Sequence, residues 1–510
     1  MAIKLYNTAT KKKEIFKSVN PNQLKIYVCG VTIYDDVHLG HAFSYINYDI
    51  LVNYFRYFLD YDILYVRNIT DVGHLTDDGL SDTGEDKIQK RASERKVHPM
   101  ELVYNYSHRM WKYFDALKIS RPNLEPTASA HIIEMQEWIK KMLKTGIAYE
   151  VNGNVYYDIS KFKDYGKFAN KNLEELEKNT RFENDPNKKN IGDFALWIKA
   201  KPEHILKWPS PWGEGYPGWH LECSVMGTKY LGEKFDIHGG GIEHLFPHHQ
   251  NEIAQNYGYY GHDVVNYWVH TAMLMVDGKK MGKSLGNFIT IEDFLKKHSA
   301  ESLRYLFSSG NYRKPQNYTE KAIEDSEAAV DRLNKFIKRL QAINYQKDTN
   351  FGKEIIENTI ENFKNAMNDD LNTPSAWASI WFLVKEANKL MDLQKLTEEE
   401  SHKILDFLHK VNLVFKVFNF EQSAPKDKNK IQKAEIEELI QKRNELRKNK
   451  KWEESDQIRL NLEKKGVILS DTQTGTTWNY EWFYFSIIIS SVLFSLIIIK
   501  SIFLFFNSLK

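Results

Sequence analysis

The feature that most constrains the fold is a short apolar run followed by a loop and a long helical pattern. Lys25–Cys29 (KIYVC) is typical of a buried strand, and helical spacing runs over Ala42–Leu59. A second strand is predicted over Ile63–Val66. This order opens a doubly wound parallel sheet, in which ligands bind at the carboxyl ends of the strands. We therefore predict a Rossmann-like α/β fold with a ligand crevice beside Cys29.

Length and charge limit the alternatives. A chain of 510 residues exceeds one hydrophobic core, so several domains are expected. Its 70 Lys and Arg nearly balance its 68 Asp and Glu, so any nucleic-acid binding must use local patches. Two cysteines exclude a disulfide framework, and the amino terminus carries no apolar signal segment. We expect a cytoplasmic protein and a monomer.

Changes in composition divide the chain. Helical spacing dominates from Glu301, and Lys426–Lys465 holds 13 Lys and Arg against 9 Asp and Glu. The predicted segments are the first half of the Rossmann-like domain (1–122), a connective insertion (123–207), the second half of that domain (208–300), a helical stem and bundle (301–420), a linker (421–430), a small C-terminal module (431–478) and an apolar tail (482–506).

The apolar tail has the length of a membrane span. Trp482–Ile499 contains no charged residue, and the apolar pattern resumes after Lys500. We predict a C-terminal transmembrane helix over 482–506 that tethers the protein to a membrane. A buried C-terminal helix and an extension without a role are the alternatives, and the central Lys500 favours them.

A histidine pair follows the first predicted strand. His38 and His41 flank Gly40 at the start of the first long helix, where imidazoles, backbone N–H groups and the helix dipole favour a triphosphate. The alternative is a pair of histidines that only cap the helix.

A lysine loop lies before a later helix. Lys280–Asn287 (KMGKSLGN) places two lysines in a glycine-containing loop suited to a pyrophosphate leaving group. A solvated basic loop is the alternative for this segment alone. The histidine pair and this loop, in this order, resemble the paired signature of class I aminoacyl-tRNA synthetases.

Metal-ligand residues form a third pattern. His248 and Glu252 are four residues apart, so on a helix they share one face, and Cys223 precedes them. Thiolate, imidazole and carboxylate all bind zinc, and Cys29 is the remaining thiol for a four-coordinate site. Two inert buried cysteines and a surface His–Glu pair are the alternative.

Longer motifs identify the family. The chain from Ile3 to Trp478 closely resembles the cysteinyl-tRNA synthetases, whereas the apolar tail has no counterpart in their pattern. The segments that carry the resemblance are YVCGVT (27–32), RNITD (67–71), PGWHLEC (217–223), FDIHGGG (235–241), FPHHQNEIAQ (246–255) and GTTW (475–478).

The resemblance implies a reaction and a set of site residues. Zn²⁺ would bind the substrate thiolate, ATP would enter with Mg²⁺, and cysteinyl-adenylate would be transferred to tRNA(Cys), with 431–478 recognising the anticodon side. The implied zinc ligands are Cys29, Cys223, His248 and Glu252; the implied catalytic, ATP-contacting residues are His38, His41, Lys280 and Lys283, with Gly40 and Ser284; the implied L-cysteine pocket is Gly30, Thr32, Thr70, Trp219 and His238.

Three positions depart from the family pattern. Gly282 replaces the usual serine of the lysine loop, Val31 a common proline, and Gln250 a common glutamate. None is an implied ligand, so we expect activity to be retained. Two competing functions remain: a ligase that passes activated cysteine to a small amine, and an inactive zinc scaffold tethered to a membrane.

Overall fold

The computed structural model describes residues 2–77, 83–171, 185–282, 285–344, 351–420, 433–449, 451–464, 467–472 and 475–480. The chain divides into two units, 1–420 and 421–510. The strands of the first unit are β1 (Lys4–Asn7), β2 (Lys12–Ile15), β3 (Gln23–Thr32), β4 (Asp62–Thr70), β5 (Leu75–Asp77), β6 (Thr83–Asp86), β7 (Ala148–Val151), β8 (Asn154–Tyr157), β9 (Phe194–Lys199), β10 (Gly215–Pro217), β11 (Phe235–Gly241), β12 (Val265–Thr271), β13 (Leu274–Val276), β14 (Lys279–Lys280) and β15 (Gln316–Tyr318).

The helices of this unit surround those strands. They are α1 (Leu39–Phe58), α2 (Lys87–Arg95), α3 (Pro99–Ala116), α4 (Ile132–Lys144), α5 (Trp219–Leu231), α6 (His248–Tyr260), α7 (Ile291–Leu295), α8 (Ala300–Ser309), α9 (Glu320–Gln341), α10 (Lys353–Asn368), α11 (Thr373–Asp392) and α12 (Glu398–Phe415).

A parallel sheet in the order β12-β11-β3-β4 forms the core of the first unit. In its register Ile26 lies between Ile237 on β11 and Tyr65 on β4. Isolated parallel bridges from Val66 to Leu124 and from Ile69 to Thr127 extend the β4 edge. The Rossmann-like parallel sheet predicted from the strand–loop–helix–strand order is confirmed.

Helix α1 begins earlier than its apolar spacing predicted. The His38 side chain accepts hydrogen bonds from the backbone N–H groups of Gly40 and His41, so the helix starts at Leu39 rather than Ala42. Apolar spacing locates the buried face of a helix, whereas its first turn depends on the cap.

An antiparallel sheet in the order β10-β9-β8-β7 lies between the two halves of the parallel sheet in sequence. Asn152 and Gly153 have positive φ angles of 54° and 86°, which suits the tight turn between β7 and β8. Residues 172–184 of the predicted insertion lie outside the described residues.

The described residues between 301 and 420 are helical, as their spacing predicted, apart from the three-residue β15. Leu303, Leu333, Phe363, Ile380 and Val411 are buried on α8 to α12 and contribute to the same hydrophobic core as the parallel sheet. This continuous packing holds the helices and the sheet together within the first unit.

The second unit contains α13 (Lys433–Lys448), α14 (Trp452–Lys464), β16 (Val467–Thr472) and β17 (Gly475–Tyr480). Ile436, Leu462 and Val467 are buried in its own small core. The predicted linker 421–430 and apolar tail 482–506 lie outside the described residues. Among the helices that are described, none is long and apolar enough to cross a membrane.

Candidate active site and metal centre

A cavity of about 360 Å³ opens at the carboxyl ends of the parallel strands. The last residues of β3, β4, β11 and β12 all line it: Thr32, Thr70, Gly241 and Thr271. The predicted site residues on its wall are Cys29, Gly30, Thr32, His38, Gly40, His41, Thr70, Trp219, Cys223, His248 and Lys280.

The remaining predicted site residues lie elsewhere. His238 and Glu252 are buried behind the wall rather than on it. Lys283 and Ser284 lie outside the described residues, so their predicted ATP contacts stay predictions.

Four buried donors lie close together beside the cavity, and all but Glu252 line it: Cys29, Cys223, His248 and Glu252. The two Sγ atoms are 3.9 Å apart, and His248 Nε2 is 3.1 Å from Glu252 Oε1. Cys223 lies on α5, whereas His248 and Glu252 lie one turn apart on α6. Strand β3 and two helices therefore bring together residues that are far apart in sequence.

This donor set fits zinc. A tetrahedral ion with Zn–S bonds of about 2.3 Å separates two thiolates by roughly 3.8 Å. Burial raises the pKa of the Cys29 thiol, but Cys223 and the His249 and His248 imidazoles outweigh it and hold that pKa well below its ordinary value. Burial and the Cys29 thiolate raise the pKa of Cys223. A divalent cation bound here would displace the proton of the Cys223 thiol.

Neighbouring histidines orient two of the four donors. His220 Nδ1 lies 2.9 Å from His248 Nδ1, which leaves His248 Nε2 toward Glu252. His238 Nε2 lies 2.7 Å from Glu252 Oε2. Such outer contacts fix the ring and carboxylate orientations that a metal requires.

A second set of donors shares two of these residues. Cys29 and Glu252 also lie close to His238 and His249, with His249 Nε2 3.2 Å from Cys29 Sγ. Of this second set only Cys29 lines the cavity, whereas Cys29, Cys223 and His248 of the first set all do. The first set is therefore the one accessible to a ligand in the cavity.

Aromatic rings form the side of the cavity above the donors. Trp219 stacks between His74, at 3.8 Å between centroids, and His248, at 4.4 Å. Thr32 Oγ1 lies 2.5 Å from His74 Nδ1. The sequence interpretation missed His74, although its position three residues after the RNITD segment (67–71) was a usable signal.

Thr70 is fixed from behind the cavity. Its hydroxyl donates to the carboxylate of Glu222 and accepts a hydrogen bond from Asn68 Nδ2 at 3.1 Å. Burial raises the pKa of Glu222 well above its ordinary value. Glu222 directly precedes Cys223, so the motif that contains the ligand also contains this missed residue.

Gly30 permits a close crossing of backbones. A Cβ atom at this position would lie 1.5 Å from the backbone oxygen of Asn68, and the Gly30 N–H donates to Asn68 Oδ1 at 2.7 Å. Only glycine fits here without moving β3 away from β4. Its predicted role beside the substrate depends on this packing.

The histidine pair both caps α1 and lines the cavity. His38 Nδ1 accepts from the Gly40 N–H at 3.1 Å, His41 Nδ1 accepts from the His38 N–H at 3.3 Å, and the rings stack 3.7 Å apart. Burial and the neighbouring His38 lower the pKa of His41 well below its ordinary value. Because Nδ1 is an acceptor in both rings, a neutral ring carries its proton on Nε2.

The lysine loop approaches the same helix start. Lys280 and Met281 line the cavity beside His38 and Phe288. A Cβ atom on Gly40 would lie 3.3 Å from Met281 Cε. The predicted histidine and lysine motifs therefore meet at one end of the cavity.

Comparison with known proteins decides the family. Residues 15–328 match the family model for the class I (C) tRNA synthetase catalytic domain, 362–419 the DALR domain and 433–478 the cysteinyl-tRNA ligase anticodon binding domain. Cysteine–tRNA ligase of Haemophilus influenzae (strain ATCC 51907) is 42% identical over 482 residues, covering 93% of this chain and 99% of the relative. The chain belongs to the cysteine–tRNA ligase family.

Further comparisons agree with this assignment. The cysteine–tRNA ligase of Chlorobium chlorochromatii is 40% identical over 485 residues, covering 94% of this chain and 99% of the relative. A structure titled Mycobacterium tuberculosis methionyl-tRNA synthetase in complex with methionyl-adenylate superposes with a TM-score of 0.56 at 14% identity, covering 78% and 90% of the two chains, and shows the shared fold. As a cysteine–tRNA ligase, the protein is an ATP-dependent aminoacyl-tRNA synthetase.

The departures from the cysteine–tRNA ligase pattern occupy different environments. The Gly282 N–H donates to Asn287 Oδ1 at 2.9 Å, so the lysine loop keeps a defined start without the usual serine. Val31 is buried in β3. Gln250 is fully buried, and its side-chain amide has no hydrogen-bond partner among the described residues.

Proposed function

We propose that this ligase activates cysteine with ATP in the cavity at the carboxyl ends of the sheet, and that a zinc ion held by Cys29, Cys223, His248 and Glu252 selects the substrate thiol. The observation that carries this proposal is a cluster of four buried donor residues, three of which line that cavity. Zinc would supply a soft Lewis acid that binds a thiolate and discriminates against the hydroxyl of serine.

Discrimination by one polar contact explains how a single site can suffice. A pocket that distinguishes cysteine from serine by shape alone achieves little discrimination, because the two side chains differ in one atom. A site built around one donor rejects the analogue that lacks it far more strongly. We infer no separate editing step for this chain.

The chain's own residues would position the remainder of the substrate. Trp219, Thr32 and Thr70 line the cavity near the donors and would contact the amino acid. His238 was predicted beside them, but it is buried against Glu252, so we assign it to orienting that carboxylate. Its contribution to the pocket is therefore indirect.

The histidine and lysine motifs would bind the phosphates of ATP. The Nε2–H groups of His38 and His41 and the Lys280 ammonium would stabilise charge as the cysteine carboxylate attacks the α-phosphate and pyrophosphate leaves. On the basis of the sequence alone, Lys283 and Ser284 would also contact ATP, and Mg²⁺ would accompany ATP as its counterion. The cysteinyl group then passes to the terminal ribose of tRNA, so no protein nucleophile is needed.

The second unit would recognise the tRNA(Cys) partner. Trp452 is 55% exposed on α14, where it can stack on a base, and nearby lysines and arginines can contact phosphates. A ligase for a small amine has no use for the matched anticodon binding domain at 433–478. This domain favours tRNA as the acceptor.

One assay separates the candidate functions. We expect cysteine-dependent exchange of pyrophosphate into ATP, charging of tRNA(Cys), and serine-dependent exchange at least about a hundredfold slower, because the main contact is lost. Exchange without charging would favour the small-amine ligase. Absence of exchange would leave the inactive scaffold.

A membrane tether stays a proposal from sequence alone, as do the cytoplasmic location and the monomeric state. We predict that deleting 481–510 leaves exchange and charging unchanged and moves the protein from the membrane to the supernatant fraction, because the uncharged segment Trp482–Ile499 is removed. Recovery of the full-length chain in the supernatant would contradict the tether.

A further inference from the structure

Arg109 on α3 binds two carboxylates that belong to different parts of the chain. Its Nε and Nη2 atoms donate to Asp36 Oδ1 and Oδ2 at 2.5 and 2.9 Å. Nη2 also donates to Glu292 Oε2 at 2.9 Å. The guanidinium thus joins residues that are 256 positions apart in sequence.

Each carboxylate lies next to an ATP motif. Asp36 lines the cavity two residues before His38. Glu292 lies in the first turn of α7, directly after the segment that follows the lysine loop. Arg109 therefore connects the approach to the histidine pair with the exit from the lysine loop.

Backbone hydrogen bonds join the same two segments. The Leu39 N–H donates to the Ile289 carbonyl at 3.1 Å, and the Ile291 N–H donates to the Val37 carbonyl at 3.0 Å. His38 lies between these two bonds, and Phe288 packs edge-on against it at 5.1 Å between centroids. A shift of the 288–292 segment would therefore move a wall of the cavity and a neighbour of His38.

We propose that Arg109 is a positioning residue of the ATP site, which holds the Asp36 turn and the start of α7 together and so sets the lysine-loop exit against the histidine pair. This inference rests on the phosphate-binding roles proposed above for these two motifs. It adds a residue of α3 that does not itself line the cavity.

Charge explains why a cation is required at this point. Without Arg109, the carboxylates of Asp36 and Glu292 would face each other across the two segments. The Arg109 side chain is 42% exposed and that of Glu292 36%, so solvent screens the interaction. We expect an effect of about two- to fivefold on kcat/KM for ATP, which corresponds to the upper part of the coupling energies of exposed ion pairs.

Arg121 provides a matched control. Its side chain is also 42% exposed and also lies between two carboxylates, binding Asp115 at 2.8 and 2.7 Å and lying 3.8 Å from Glu125. It contacts neither ATP motif within the described residues. If Arg109 contributed only to stability, replacing Arg109 or Arg121 would have the same effect on kcat/KM for ATP.

The test measures pyrophosphate exchange in the full chain, with ATP and cysteine varied separately. Arg109→Ala is expected to lower kcat/KM for ATP about two- to fivefold, leaving KM for cysteine and the melting temperature unchanged, whereas Arg121→Ala changes none of them. An equal effect of the two variants, or a change confined to the melting temperature, would overturn the proposal.

Charge reversal gives a second, independent arm. These variants are made in an Asp36→Asn background, so that Arg109→Glu does not place a glutamate against Asp36. In this background, Glu292→Arg alone is expected to lower kcat/KM for ATP, because two arginines then face each other. Adding Arg109→Glu should restore it to the value of the background. Failure to restore it would refute a positioning ion pair, whereas loss of exchange in the unmodified chain would instead refute the proposed function.

Discussion

At the residue scale, two adjacent histidines make different contacts because successive residues of a helix point in different directions. His248 and His249 are adjacent in sequence, yet His248 lines the cavity and His249 turns toward His270, with 2.7 Å between His249 Nδ1 and His270 Nε2. The four-residue spacing to Glu252 correctly indicated which imidazole shares its helix face. His238 was placed in the substrate pocket because sequence does not show whether a strand residue faces the cavity or the packed side.

His238 offers a test of indirect metal support. We predict that His238→Ala weakens zinc binding about tenfold to a hundredfold, because Glu252 loses the partner of its Oε2 atom. The zinc dissociation constant, measured by competition with a chelator, checks this. His262→Ala is the control, since it removes an exposed histidine 2.7 Å from Glu233 and should leave the constant unchanged. Equal constants for the His238 variant and the unmodified chain would contradict the assignment.

At the element scale, a buried ion cluster ties α1 to the helical region. Asp49 on α1 lies 2.6 Å from Arg304 on α8 and 3.0 Å from Lys416 after α12. Arg304 also donates to the carbonyl of Phe415 at 2.6 Å. Periodicity predicted these helices one by one, but contacts between positions 49, 304 and 416 have no signature in a single sequence.

The Asp49 cluster predicts a pH dependence of stability. Burial would raise the pKa of Asp49, but Arg304 and Lys416 outweigh it and lower that pKa below its ordinary value. A carboxyl with a lowered folded pKa stabilises the fold above its unfolded pKa of about 3.9, and the contribution is lost as the pH falls through the folded pKa.

Asp49→Asn should therefore lower the free energy of unfolding by about 3 kcal/mol at pH 7, because it leaves a buried arginine without its anion. The difference from the unmodified chain should shrink below about pH 4, as measured by urea unfolding. Asp331→Asn, which removes an exposed pair with Lys335, should cost less than about 1 kcal/mol. A difference that persists unchanged at low pH would rule out this charge effect.

At the scale of the whole molecule, the two units correspond to different tasks. The catalytic and DALR matches lie within 1–420, and the anticodon binding match lies within 421–510. The Rossmann-like sheet, the helical region and the small module were all predictable, because each has its own periodicity. The antiparallel sheet β7 to β10 was largely missed, because β9 pairs with β8 across the intervening residues 158–193, and such long-range pairing has no signature in a single sequence.

Separating the units should separate the two half-reactions. We predict that a chain ending at residue 420 retains cysteine-dependent pyrophosphate exchange but charges tRNA(Cys) with a kcat/KM lowered about tenfold or more, because stacking on a base contributes ~1–3 kcal/mol. Trp452→Ala in the full chain should raise KM for tRNA and leave exchange unchanged. Normal charging by the shortened chain would contradict the role of the second unit.

The central claim is that zinc is held by Cys29, Cys223, His248 and Glu252 at the base of the cysteine pocket. The most direct measurement compares the zinc content of the purified Cys223→Ser and His249→Ala variants with that of the unmodified chain. We predict that Cys223→Ser loses zinc together with cysteine-dependent pyrophosphate exchange, and that His249→Ala retains zinc. Full zinc in the Cys223 variant, with loss in the His249 variant, would contradict the account and assign the metal to the second set of donors.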